Sequence, residues 1–126
     1  MLIRSAKELL VYRKAYELAM LIFRASKRFP AEERYALTRQ IRRSSRSVSM
    51  NLREAWAKRR YAAHFVSKLT DYDGENGETD RSLDFAKDSG YISPEEHNDL
   101  TIRCTEVGKM LGSMIQDPAC FLSPSR

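Results

Sequence analysis

Apolar positions recur along the chain with a helical period. Val11, Ala15, Leu18, Ile22, Ala25 and Phe29 are separated by alternating steps of four and three residues, which lines one helix face. Ahead of them, Ser5-x-x-Glu8 has the form of a capping box, its serine oxygen accepting from an orphan backbone N–H while the glutamate reaches back. Pro30 ends this first helix. A second follows Glu32 and Glu33, whose charges suit the positive end of a helix dipole, and buries Leu37, Ile41, Val48, Leu52 and Ala55. Ser44 completes that seam. Ser44, Ser45, Ser47 and Ser49 are poor helix formers, yet the apolar phase runs through them unbroken. Small side chains there fit a place where two helices approach closely.

No Pro or Gly separates this segment from the next, and one uninterrupted helix to the next stop would be too long for so short a chain. A turn is therefore predicted within residues 56–61. A third seam then runs from Ala62 through Phe65, Leu69, Tyr72, Asn76, Thr79, Leu83 and Ala86 to Gly90. Its middle, Asp71 to Gly77, reads locally as a turn because of Gly74 and Gly77, but the period resumes in phase beyond it. The period predicts a continuous helix. Ser93-Pro94-Glu95-Glu96 opens a fourth helix with a capping box and proline at the first helical position. Leu100, Cys104, Val107, Leu111 and Met114 are its seam, Pro118 closes it, and residues 119–126 read as an irregular tail. The expected fold is all-α: an antiparallel up-down four-helix bundle in a single domain spanning 1–126.

Composition agrees. Only 5 Gly and 4 Pro occur in 126 residues, too little punctuation for a sheet joined by tight turns. The longest apolar run, Leu18 to Phe23, is far short of a membrane span, and Met1 to Lys7 meets a charge before any apolar stretch, so neither membrane anchoring nor a signal peptide is expected. Cys104 and Cys120 show no metal-ligand spacing, and a reducing cytoplasm is the expected compartment.

The net charge of +5 is unevenly placed. Residues 34–68 hold ten basic side chains and one acidic, whereas residues 69–88 hold two basic and seven acidic. At 100° per residue, Arg39, Arg42, Arg46 and Arg53 fall within an arc of about 60°, nearly opposite the apolar seam, and Arg60 joins them if the helix persists that far. Guanidinium groups grip phosphate in a two-point fork, so the stripe is a candidate track for a nucleic-acid backbone. Trp56 and Tyr61, near its end, are candidates for stacking on unpaired bases. The competing reading is structural: Asp71, Glu75 and Glu78 share a face that could neutralise arginines within or between subunits.

Enzyme chemistry finds no foothold. Asp71-x-Asp73-x-Glu75 opens like a calcium loop but has Asn76 where glycine is needed and Ser82 where the closing glutamate belongs. His64 and His97 stand without ligand partners, and Gly74-x-x-Gly77 lacks the strand and the Lys-Ser/Thr of a phosphate loop. The serines have no base at fixed spacing. Gly108-x-x-x-Gly112 reads as a close-packing face within the bundle. No catalytic residue, metal or cofactor is expected.

Several strings together resemble a known family. Phe29-Pro30-x-Glu32-Glu33-Arg34-Tyr35-x-Leu37, Gln40-Ile41-Arg42-Arg43-Ser44 and Ser47-Val48-x-x-Asn51-Leu52-x-Glu54, followed by Gly74, Glu78, Leu83 and Gly90-Tyr91-Ile92, are similar to the bacterial four-helix-bundle proteins encoded in intervening sequences of large-subunit ribosomal RNA genes. Ala55 departs from the glycine that many members carry there. The resemblance implies a homo-oligomer, with a pentameric ring as the architecture of relatives. It also extends to accessory proteins of diversity-generating retroelements, which bind nucleic acid and a reverse transcriptase. The expectation is a non-enzymatic, oligomeric RNA- or DNA-binding protein. The alternative is a scaffold or adaptor for a protein partner, its arginines spent in ion pairs.

Overall fold

The computed structural model describes residues 9–121, so the Ser5–Glu8 capping box lies outside the described residues. Four helices follow one another: α1 (Leu10–Ser26), α2 (Leu37–Ala57), α3 (Ala62–Asp88) and α4 (Pro94–Gln116). Single 3-10 turns, Ala31–Glu33 and Pro118–Phe121, precede α2 and follow α4. The second gives order to the start of the segment expected to be irregular. Each helix packs on its neighbours in sequence, and α4 returns against α1 to close an antiparallel four-helix bundle. None of these helices is long and apolar enough to cross a membrane.

The seams bury as their spacing predicts, with three exceptions. Phe29 lies beyond the end of α1 and packs on Tyr91, their ring centroids 5.4 Å apart. Ala62 is exposed at the first position of α3, and Gly90 is exposed just beyond its end. Gly90 terminates α3 in the left-handed conformation (φ 79°), which glycine adopts without a Cβ penalty. There the Tyr91 N–H bonds the Ala86 carbonyl and the Gly90 N–H the Lys87 carbonyl, a Schellman closure. Gly74 and Gly77 sit inside an unbroken α3, so the local turn signal yields to packing.

Two apolar clusters fill the bundle. One holds Val11, Leu52, Phe65, Leu69, Leu111 and their neighbours; the other holds Ile22, Ile41, Leu83, Leu100 and theirs. Buried polar contacts lie in the same interior. Ser44 and Thr79 share a hydroxyl hydrogen bond of 2.8 Å, and Asn76 Nδ2 donates to the Cys104 carbonyl at 2.9 Å. Burial pushes the Cys104 thiol up to about 12, so it stays protonated and unreactive. Of the four serines, Ser44, Ser45 and Ser49 are buried, as expected where helices approach closely, whereas Ser47 is half-buried and borders the open groove on α2. Of the α4 glycines only Gly108 is in close contact: a Cβ there would lie 3.1 Å from Asn76 Nδ2, whereas one on Gly112 would meet nothing within 4 Å. The expected Gly108–Gly112 packing face is thus a contact at one glycine.

Candidate nucleic-acid interface

The turn into α2 is held at several points. Glu33 Oε1 accepts from the Leu37 N–H at 3.4 Å, capping the helix, while its Oε2 accepts from the Tyr91 hydroxyl at 2.8 Å. Glu33 therefore ties the entrance of α2 to the corner between α3 and α4. The three residues after it swing outward, and Arg34 and Tyr35 are exposed.

From Leu37 onward the helical period puts Arg39, Arg46 and Arg53 on the solvent side of α2. Arg42 lies at the edge of this face, half-buried, and its Nε donates to Ser26 Oγ at 2.7 Å. The Phe23 ring of α1 receives the Arg42 and Arg46 guanidiniums at 4.8 and 5.3 Å from its centroid, with Lys27 at 4.8 Å. An aromatic face attracts each cation and offsets part of the repulsion among them. Arg39, Arg42 and Arg46 also line one open groove of about 620 Å³ together with Arg34, Tyr35 and Thr38.

Ion pairs take up three of the arginines among the described residues. Arg43, beside the stripe, bonds Glu78 at 2.8 Å and Glu75 at 3.3 Å, while Arg28 pairs with Glu96 and Arg103 with Glu17 and Asp99. Arg39, Arg42, Arg46, Arg53 and Arg60 have no carboxylate within ion-pair distance among the described residues. The acidic face of α3 thus neutralises an arginine that lies off the stripe. The Glu78 carboxyl is held below its ordinary range, chiefly by the hydrogen bond from Gln40 and then by Arg43.

The far end of the stripe differs from expectation. The last residue of α2 is Ala57, so Arg60 falls in the following turn and does not extend the row. The continuous part, Arg39 to Arg53, spans about 21 Å at 1.5 Å per residue. Trp56 does not face solvent: it is 8% exposed, packed in the core, and covered by Arg59 at 4.1 Å from the ring. Its helical position leans toward the buried side of α2, and burial of so large a ring outweighs its exposure as a stacking surface. Tyr61 caps the start of α3, is 58% exposed, and meets His64 edge-on, away from the groove.

The groove also contains residues that spacing along the stripe does not single out. Tyr35 lies four residues before Arg39 and is in phase with it, but just outside the helix from which the period is counted. Tyr35 and Met50 are 79% and 69% exposed, unusual for large apolar side chains. Phe23 lies one position off the apolar seam of α1, so seam counting passes over it.

Among known proteins, the chain matches the family described as 23S rRNA-intervening sequence protein over residues 7–113. It is also similar to a protein of unknown function from the S23 ribosomal protein family of Bacteroides thetaiotaomicron VPI-5482, known from a crystal structure. The two are 30% identical, with a TM-score of 0.77 covering 85% of this chain and 99% of the other. No curated protein matches. The matched segment takes in all of α1, α2 and α3 and nearly all of α4, and the chain belongs to the 23S rRNA-intervening sequence protein family.

Proposed function

We propose that this is a non-enzymatic, homo-oligomeric nucleic-acid-binding protein of the cytoplasm, which follows a phosphate backbone with Arg39, Arg42, Arg46 and Arg53. The observation that carries the reading is a row of unpaired arginines on one helix face. Arg39, Arg42, Arg46 and Arg53 have no carboxylate within ion-pair distance among the described residues, whereas Arg43 beside them is taken up by Glu75 and Glu78. Arg13, Arg24, Arg34, Arg59 and Arg81 are also unpaired among the described residues but lie off that row. A guanidinium free of carboxylates keeps its donor fork for phosphate, and several on one helix face supply an attraction indifferent to sequence. The family description, which names a ribosomal RNA intervening sequence, accords with RNA as the ligand.

Assembly, with a ring of five as the state the resemblance implies, repeats the stripe and raises weak contacts to useful avidity. Phe85 and Ile102, exposed on α3 and α4, offer apolar surface for subunit contacts. The competing adaptor reading draws support from the exposed Tyr35 and Met50 beside the stripe. One experiment separates the two: purification at low salt, sequencing of any copurified nucleic acid, and light scattering of the Arg42→Ala, Arg46→Ala, Arg53→Ala variant. Nucleic acid released by salt and an unchanged oligomer mass are expected. A copurifying protein without nucleic acid, together with loss of the oligomer in the variant, would assign the arginines to protein contacts.

A further inference from the structure

The stripe is not uniform along its length. Its first half borders a concave groove, whereas Arg53 lies outside the groove and Arg60 outside the helix. At about 620 Å³ the groove falls within the range of small-ligand sites, roughly 300–1,000 Å³. Two features converge in it. Five arginines line its walls: Arg43 is taken up by Glu75 and Glu78, and Arg34, Arg39, Arg42 and Arg46 have no carboxylate paired to them among the described residues. Thr38 lines it too, more than nine-tenths buried, and its Oγ1 has no hydrogen-bond partner. That oxygen is itself shut off from solvent, so Thr38 forms part of the groove's floor and offers no donor to a ligand. Finally, Tyr35 stands beside these groups with its ring largely in water.

Clustered guanidiniums suit a phosphate, and an exposed aromatic face next to them suits a base. Within a duplex both faces of a base are covered by its neighbours, so only an unpaired base can stack on a tyrosine ring. We infer that this groove is a seat for an unpaired nucleotide strand, with phosphates on Arg39, Arg42 and Arg46 and one base stacked on Tyr35. The inference rests on the nucleic-acid reading above and assigns it a strand type and a register. Arg39 and Arg46 are about 10 Å apart along the helix, close enough to hold phosphates of one short run of strand. Stacking and phosphate contact are indifferent to the sugar, so RNA and DNA single strands bind alike.

The test is fluorescence anisotropy with labelled oligouridylate, oligothymidylate and an RNA duplex of equal length, titrated over a range of salt. Both single strands are expected to bind more tightly than the duplex. Tyr35→Ala is expected to weaken single-strand binding about tenfold, at the lower part of the range for removal of one stacking ring, without altering the salt slope. Tyr35→Phe, which keeps the ring, should stay within about twofold of wild type. Because Tyr35 is exposed, neither change disturbs the core. If Tyr35→Ala bound single strands as well as wild type while salt-dependent binding persisted, the nucleotide seat would be wrong and the arginine track would stand. Discrimination of more than about tenfold between the RNA and DNA strands would overturn the claim that only ring and phosphate contacts matter. Absence of salt-dependent binding by the wild-type protein would overturn both readings.

Discussion

Two glycine-to-alanine substitutions in helix interiors should have opposite outcomes. Gly74 lies on the exposed side of α3, and a Cβ added there meets nothing within 4 Å. Gly74→Ala should therefore gain the helix-propensity difference, about 1 kcal/mol, and raise Tm by about 4 °C. Gly108→Ala has the same intrinsic gain but puts its Cβ 3.1 Å from Asn76 Nδ2. Asn76 has little freedom to retreat, because Nδ2 donates to the Cys104 carbonyl at 2.9 Å and its backbone and side-chain oxygens accept from the Cys104 thiol at 3.3 Å. Disrupting that buried contact costs about 1–3 kcal/mol, which offsets the propensity gain and leaves Gly108→Ala neutral or up to about 2 kcal/mol less stable. Urea unfolding followed by helical circular dichroism, at one protein concentration, measures both. In an Asn76→Ala background the obstruction is gone, so Gly108→Ala should there stabilise by about 1 kcal/mol. If Gly108→Ala stabilised the parent protein as much as Gly74→Ala does, the packing argument at the α3–α4 contact would be refuted.

Three further outcomes rest on single contacts. Glu78 has a lowered pKa, so it stabilises the fold above its ordinary value of 4.5, and that contribution is lost as pH falls through the lower folded value. Glu78→Gln should cost under about 1 kcal/mol at pH 7, and its difference from wild type in urea unfolding should close in acid. Trp56 is the one tryptophan and is buried, so its emission should be blue-shifted in the native protein and unchanged when single-stranded RNA is added. Ser93→Ala removes the N-cap acceptor of the Glu96 N–H and should cost about 1 kcal/mol by the same unfolding assay.

The bundle was legible because each seam repeats at helical spacing over several turns, long enough for phase to outweigh local propensity. α3 is the clearest case: Gly74 and Gly77 oppose a helix locally, yet Tyr72, Asn76 and Thr79 all bury on the phase predicted. The end of α2 was harder to read. Trp56, Lys58, Arg59 and Arg60 continue the composition of the helix without a breaker, and the chain turns there because α3 must pack back on α2. The site was legible in part. Charge spacing picks out Arg39, Arg42, Arg46 and Arg53, but it cannot tell that Arg43, one step along, is the residue that reaches Glu75 and Glu78. That distinction depends on the relative rotation of α2 and α3. Tyr35 escaped because it belongs to a turn whose course is set by Glu33 and Tyr91, residues 58 apart in sequence.

The central claim is that the stripe arginines are available to phosphate while Arg43 is not. The most direct measurement is the salt dependence of single-stranded RNA binding for wild type, the Arg39→Ala, Arg42→Ala, Arg46→Ala variant and Arg43→Ala. Each arginine withdrawn from a phosphate should lower the slope of log affinity against log salt by about 0.7, so the triple variant should fall by about two units and Arg43→Ala should change little. Equal slopes for wild type and the triple variant, or a larger fall with Arg43→Ala, would contradict it.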